Sequence, residues 1–89
     1  MRAKRSKNEI RQEILSICSK GENITQIGHR SNINLTTARS LIESLKENNL
    51  LETIDGSPVQ YKTTAKGMAL LDRLKVLQDE MEEMIEKHT

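Results

Sequence analysis

Residues 33–42 read INLTTARSLI, and the fold turns on how they are understood. Asn34 can accept from the free amides of a first helical turn, and Ala38, Leu41, Ile42 and Leu45 recur at three- and four-residue intervals. The spacing predicts a helix over about 35–48 with one buried stripe. Its other side carries Thr36, Thr37, Arg39, Ser40 and Glu43, a face that is polar, small and rich in donors.

Working outward, Asn23 is the expected N-cap of a shorter preceding helix, with Gln26 in the capping-box position and Ile24 and Ile27 facing inward. That helix runs out near Ser31 and Asn32. Before it, Ile10, Ile14, Ile17 and Cys18 outline a first helix closed by Gly21, a residue that tolerates the left-handed conformation. Two helices joined by a tight polar turn, the second capped and amphipathic, form a helix-turn-helix unit. Asn48-Asn49 ends the third helix. Leu50–Ile54 and Val59–Lys62 then read as strands around the turn Asp55-Gly56-Ser57-Pro58, a hairpin that makes the winged variant.

Thr64 is the expected N-cap of one last helix of about 24 residues, about 36 Å long. Within it Leu70, Leu74, Leu77, Met81 and Met84 are spaced four, three, four, three, a coiled-coil seam. The expected fold is mainly α (α+β): a winged helix-turn-helix with a long C-terminal helix forming an antiparallel coiled-coil dimer. Antiparallel pairing spreads the acidic ends that a parallel pair would bring side by side. The organisation predicted is a basic arm over 1–7, a winged helix-turn-helix domain over 8–67 and a dimerisation helix over 68–89.

Composition agrees with one small globular domain. The chain has 89 residues, 35% hydrophobic and 30% charged, without Phe or Trp and with Tyr61 as its one aromatic. So small a core is often completed by a partner subunit. The single cysteine, Cys18, cannot form an internal disulfide, and no signal-like segment or apolar run of about 20 residues is present, which points to a reducing cytoplasm and no membrane. Net charge is +1, but it is polarised. Residues 1–11 set Arg2, Lys4, Arg5, Lys7 and Arg11 against Glu9, a net +4; residues 78–89 set five carboxylates against Lys87, a net −4.

Catalysis is not expected. The four glycines are scattered singly, no nucleophile motif appears, and His29 and His88 have no Cys or His partners at metal spacing. The expectation is a non-enzyme without cofactor or metal and with no evident small-molecule pocket.

The motifs also carry a resemblance. Asn32-Ile33-Asn34-Leu35-Thr36-Thr37-Ala38 is similar to the Gly-Leu-Ser-x-Ser-Thr-Val pattern that opens the recognition helix of many winged-helix regulators. Leu45 to Leu50 is similar to their Leu-x-x-x-Gly-Leu ending, and YKTTAKG, residues 61–67, to their Tyr-x-Leu-Thr-x-x-Gly entry to the last helix. With the basic N-terminus and heptad tail, the chain resembles the small archaeal Sulfolobus ten-a type chromatin proteins and related predicted archaeal winged-helix regulators. That likeness implies a DNA binder, nucleoid-associated in the cytoplasm, dimerising through an antiparallel coiled coil. Three positions depart from the pattern: Asn49 stands for the usual Gly, Thr63 for the usual Leu, and the wing tip lacks Arg or Lys.

In that setting the polar face acquires a reading. A helix N-terminus favours phosphate, and short hydroxyls at Thr36 and Thr37 let a duplex approach. Arg39 can reach guanine in the major groove; Ser40 and Glu43 flank it. Glu43 could accept from cytosine, though holding Arg39 as an i,i+4 neighbour is the reading preferred. The simpler alternatives, that Thr36 and Thr37 serve only their helix and that Arg39 is an ordinary surface arginine, rank behind DNA contact in the helix-turn-helix setting. Arg2, Lys4, Arg5 and Lys7 would hold phosphates or merely solubilise the chain. Gln60 and Lys62 of the wing could touch the backbone or minor groove, and Lys66 a phosphate. For dimerisation the candidates are Leu70, Leu74, Leu77, Met81, Met84 and Ile85; a stripe packed wholly on its own domain is the simpler alternative. The partners expected are double-stranded DNA and a second copy, with a protein-interaction module that never touches DNA as the rival reading.

Overall fold

The computed structural model describes residues 6–87, so Arg2, Lys4, Arg5 and His88 lie outside the described residues. The elements follow the expected order: α1 (Lys7–Ile17), a 3-10 turn (Cys18–Lys20), α2 (Ile24–Ser31), α3 (Leu35–Glu47), β1 (Leu51–Ile54), β2 (Gln60–Thr63) and α4 (Ala65–Lys87). β1 and β2 form an antiparallel pair in which Leu51 faces Thr63 and Ile54 faces Gln60. This is a winged helix. The core joins Ile14, Leu15 and Cys18 of the first segment to Ile27 of α2, to Leu41, Ile42 and Leu45 of α3 and to Leu51 of β1.

Local chemistry accounts for the boundaries. Ser6, Asn23 and Asn34 cap α1, α2 and α3 by accepting from the amides of Glu9, Gln26 and Thr37. The capping box of α2 is completed differently from expectation: the Asn23 amide donates to Glu22 Oε1 at 2.9 Å, a carboxylate already adjacent in the chain. Gly21 sits at φ 97°, a conformation that side chains resist, and so turns the chain after Lys20. Asn32 and Asn49 take φ of 57° and 61°, left-handed positions that end α2 and α3. Asn49 therefore does the work of the glycine usual at that place.

Two contacts hold the wing to the helical body. Glu22 and Tyr61 form an isolated antiparallel bridge, exchanging both backbone hydrogen bonds at 2.8 and 3.0 Å. Thr63, buried where a Leu is usual, donates its hydroxyl to the Leu15 carbonyl at 2.6 Å, so the polar substitution is satisfied rather than stranded. β1 begins one residue later than the sequence suggests, because the Leu50 amide is taken by the Leu45 carbonyl as α3 closes, and β2 runs over 60–63 rather than 59–62. At the entry to α4, a Cβ on Gly67 would stand 2.5 Å from the Leu50 carbonyl oxygen, so only glycine permits this approach.

α4 crosses the expected 67/68 division without a break. Its first turns pack on the body through Leu70 and Leu71, and then it leaves; the molecule measures 51 × 32 × 19 Å along its principal axes.

Candidate nucleic-acid interface

α3 is fixed from behind. Ala38, Leu41, Ile42 and Leu45 are at most 4% exposed, which locks the rotation of the helix. The exposed residues are then Leu35, Thr36, Arg39, Ser40, Glu43 and Glu47, one continuous outward stripe. Of the two threonines, Thr36 is exposed whereas Thr37 is half-buried and gives its amide to Asn34 Oδ1 at 2.8 Å. Thr36, Arg39 and Ser40 are thus brought together on the open half of the helix.

The expected Arg39–Glu43 pair does not form. Glu43 Oε1 instead lies 3.7 Å from Lys46 Nζ, and Lys46 in turn stands 6.0 Å above the Tyr61 ring. Both partners of Glu43 are one turn away, and Tyr61 beneath Lys46 favours that ammonium over the guanidinium. Arg39 is left exposed and, among the described residues, without an ion pair. Lys66 is also engaged: its ammonium donates to the Asn48 carbonyl at 3.0 Å, closing the C-terminus of α3 where a cation suits the helix dipole. On the wing, Lys62 is exposed and Gln60 half-buried, while Glu52 and Asp55 are also exposed and make the hairpin net negative. Lys7 is the first residue of α1 and exposed.

Leu35, which is not among the expected contact residues, is 48% exposed on the same stripe as Arg39, and its place one turn before Arg39 is the signal in the spacing.

On α4, Leu70 and Leu74 are half-buried, whereas Val76, Leu77, Met81, Met84 and Ile85 are 56–62% exposed. No small-molecule pocket is expected from the sequence, yet an open cleft of about 590 Å³ between α1 and α4 is lined by Met68, Leu71, Glu9, Glu13 and Asp72 among others. Cys18 lies fully buried, and burial, reinforced by the Glu22 carboxylate, pushes its thiol up to about 12. It is no nucleophile at neutral pH. No helix of the described residues is long and apolar enough to cross a membrane.

Comparison with known proteins follows the same lines. A family profile described as "Winged helix-turn-helix" matches residues 4–82. No curated sequence is significantly similar. Among solved structures, MepR, a transcription regulator of the Staphylococcus aureus multidrug efflux pump MepA, aligns with a TM-score of 0.81 at 16% identity, covering 90% of this chain and 64% of MepR. Staphylococcus aureus MarR, solved with salicylate and kanamycin, aligns at 0.80 and 22% identity over 89% of this chain and 57% of its own. A homodimeric winged helix-turn-helix DNA-binding domain from Mycobacterium bovis, a possible ArsR-family transcriptional regulator, aligns at 0.69 and 27% identity, covering 80% of this chain and 68% of that one. This chain therefore spans less than two thirds of the length of either Staphylococcus protein.

Proposed function

The chain belongs to the winged helix-turn-helix family, and from that premise we propose that it is a homodimeric double-stranded DNA-binding protein, a transcriptional regulator or a chromatin-associated protein of the nucleoid. α3 would lie in the major groove. The observation that carries this is the outward stripe of α3, where Thr36 and Ser40 offer hydroxyls around an Arg39 without an ion pair, while Lys46 is engaged by Glu43 and Lys66 by the Asn48 carbonyl. The M. bovis relative is described as a homodimeric DNA-binding domain, which supports both halves of the reading. The likeness to the Sulfolobus ten-a type belongs to the same proposal.

Thr36, Arg39 and Ser40 carry the base and backbone contacts; Thr37 supports them from the capped turn. Glu43 is occupied by Lys46 and steers approach toward the N-terminal half of the helix. Lys7, together with Arg2, Lys4 and Arg5, supplies sequence-independent attraction to phosphates. Gln60 and Lys62 contribute at the periphery, because the wing is net negative.

Dimerisation uses Leu70, Leu74, Leu77, Met81, Met84 and Ile85 of α4 against the same residues of a second copy, antiparallel. A monomer would leave four of these more than half exposed, an apolar surface that soluble chains seldom keep. Each subunit then combines the basic arm over 1–7, the winged unit over 8–67 and the pairing helix over 68–89.

Titrating salt against duplex binding tests the reading. Binding driven by phosphates weakens steeply with salt, its logarithmic slope about 0.9 per phosphate contacted. Absence of duplex affinity at low salt would overturn it in favour of a protein-interaction module.

A further inference from the structure

Resting on that DNA-binding reading, we propose that Leu35 and Arg39 act as one short reading head, Leu35 against the 5-methyl group of a thymine and Arg39 against a guanine within about two base pairs of it. Three observations on α3 lead there.

Leu35 is a large apolar side chain, 48% exposed, at the N-terminal end of an otherwise hydrophilic stripe. It is the first residue of the helix, directly after the Asn34 cap, and one edge of it rests over Gly28 of α2, leaving the rest turned outward. The only apolar group that the base edges present in the major groove is the thymine methyl.

Arg39 follows four residues later, on the same side of the helix. At 1.5 Å per residue the two stand about 6 Å apart along the axis, close to two steps of about 3.4 Å between stacked base pairs. Arg39 has been released for this task, because Glu43 is drawn to Lys46. An unpaired guanidinium matches the O6 and N7 acceptors of guanine, the commonest specific contact.

The second half of the same stripe carries the opposite charge. Glu43 and Glu47 are exposed there, and their carboxylates oppose phosphates. Lying along the groove, the helix thus has residues 35–40 against the base edges and residues beyond held off. The half-site is accordingly short, one thymine and one guanine, rather than a long contact surface.

Base analogues test this without disturbing the protein. Duplexes bound by the full chain are first selected from a random pool, and affinity is then measured by fluorescence anisotropy for the selected duplex, for versions with each thymine replaced singly by uracil, and for versions with each guanine replaced singly by 7-deazaguanine. One thymine in each half-site should lose about fourfold on losing its methyl, the value of one buried methyl group. One guanine within two base pairs of it should lose about tenfold on losing N7. The uracil penalty should vanish in Leu35→Ala and the 7-deazaguanine penalty in Arg39→Ala, each variant retaining its helical circular dichroism. No enriched motif, penalties that persist unchanged in the variants, or sensitive positions further apart would overturn the reading head while salt-dependent duplex binding survives. Loss of all duplex binding at low salt in the unaltered chain would remove the DNA-binding reading itself, and this inference with it.

Discussion

α3 and α4 start alike and end differently. Each opens on a side-chain cap, Asn34 Oδ1 accepting from Thr37 at 2.8 Å and Thr64 Oγ1 from Gly67 at 3.1 Å, and each carries an apolar stripe at helical spacing. α3 lies among α1, α2 and β1 and hides its stripe almost completely; α4 touches the body only through its first turns and leaves Leu77, Met81 and Met84 at 56–62% exposure. What a helix can offer outward depends on what has covered its apolar side. α3, fully backed, presents polar groups suited to a duplex. α4, unbacked beyond Leu74, leaves apolar side chains exposed, the surface through which the proposed pairing would run.

The largest effect should come from making the two helices alike in polarity. Leu77→Lys puts a charge into the centre of the exposed stripe, and we expect the dimer to weaken by about a hundredfold or more, the scale of removing a central buried anchor from an interface. Sedimentation equilibrium would show monomers with unchanged helical content; a persistent dimer would mean that α4 pairs otherwise. On the polar side, Arg39→Ala should cost about tenfold in duplex affinity per half-site and flatten sequence preference, read by fluorescence anisotropy against selected and random duplexes. Asn34→Ala strips the α3 cap and should lower unfolding stability by about 1 kcal/mol in a denaturant titration.

The smallest effect concerns the buried side. Cys18 titrates near 12 in the folded chain against an ordinary 9.0, so the folded state binds the proton more tightly. Its contribution is fully present below pH 9 and is lost as pH rises from there toward the folded value. The unfolding midpoint of the native chain should therefore fall more between pH 9 and pH 11 than that of Cys18→Ala, and equal slopes would show that the thiol is not shielded.

Local codes explain why so much of this was readable beforehand. Asn23, Asn34 and Thr64 act within three residues of themselves, so their caps could be named from spacing, and α3 ends within a residue of the expected boundary. That the last helix carries an apolar stripe, being periodic, was equally plain. Long-range contacts left no such trace. Nothing around Thr63 announces that its hydroxyl meets a carbonyl 48 residues earlier, and nothing around Glu22 announces a bridge to Tyr61. The interface shows both kinds of legibility. Thr36, Arg39 and Ser40 sit together on the open stripe as helical spacing requires, but Glu43 had two basic neighbours within a turn, and Tyr61, brought under Lys46 by the hairpin, decides between them. Leu35 was hidden by its type rather than its place.

The contrast between the two helices is tested most directly by following the backbone amides of the labelled protein while a duplex is added at low salt. Thr36, Arg39 and Ser40 should shift most and recover as salt is raised, with Leu77, Met81 and Met84 unmoved. Shifts gathered on α4, with α3 silent, would contradict the assignment of the duplex to α3.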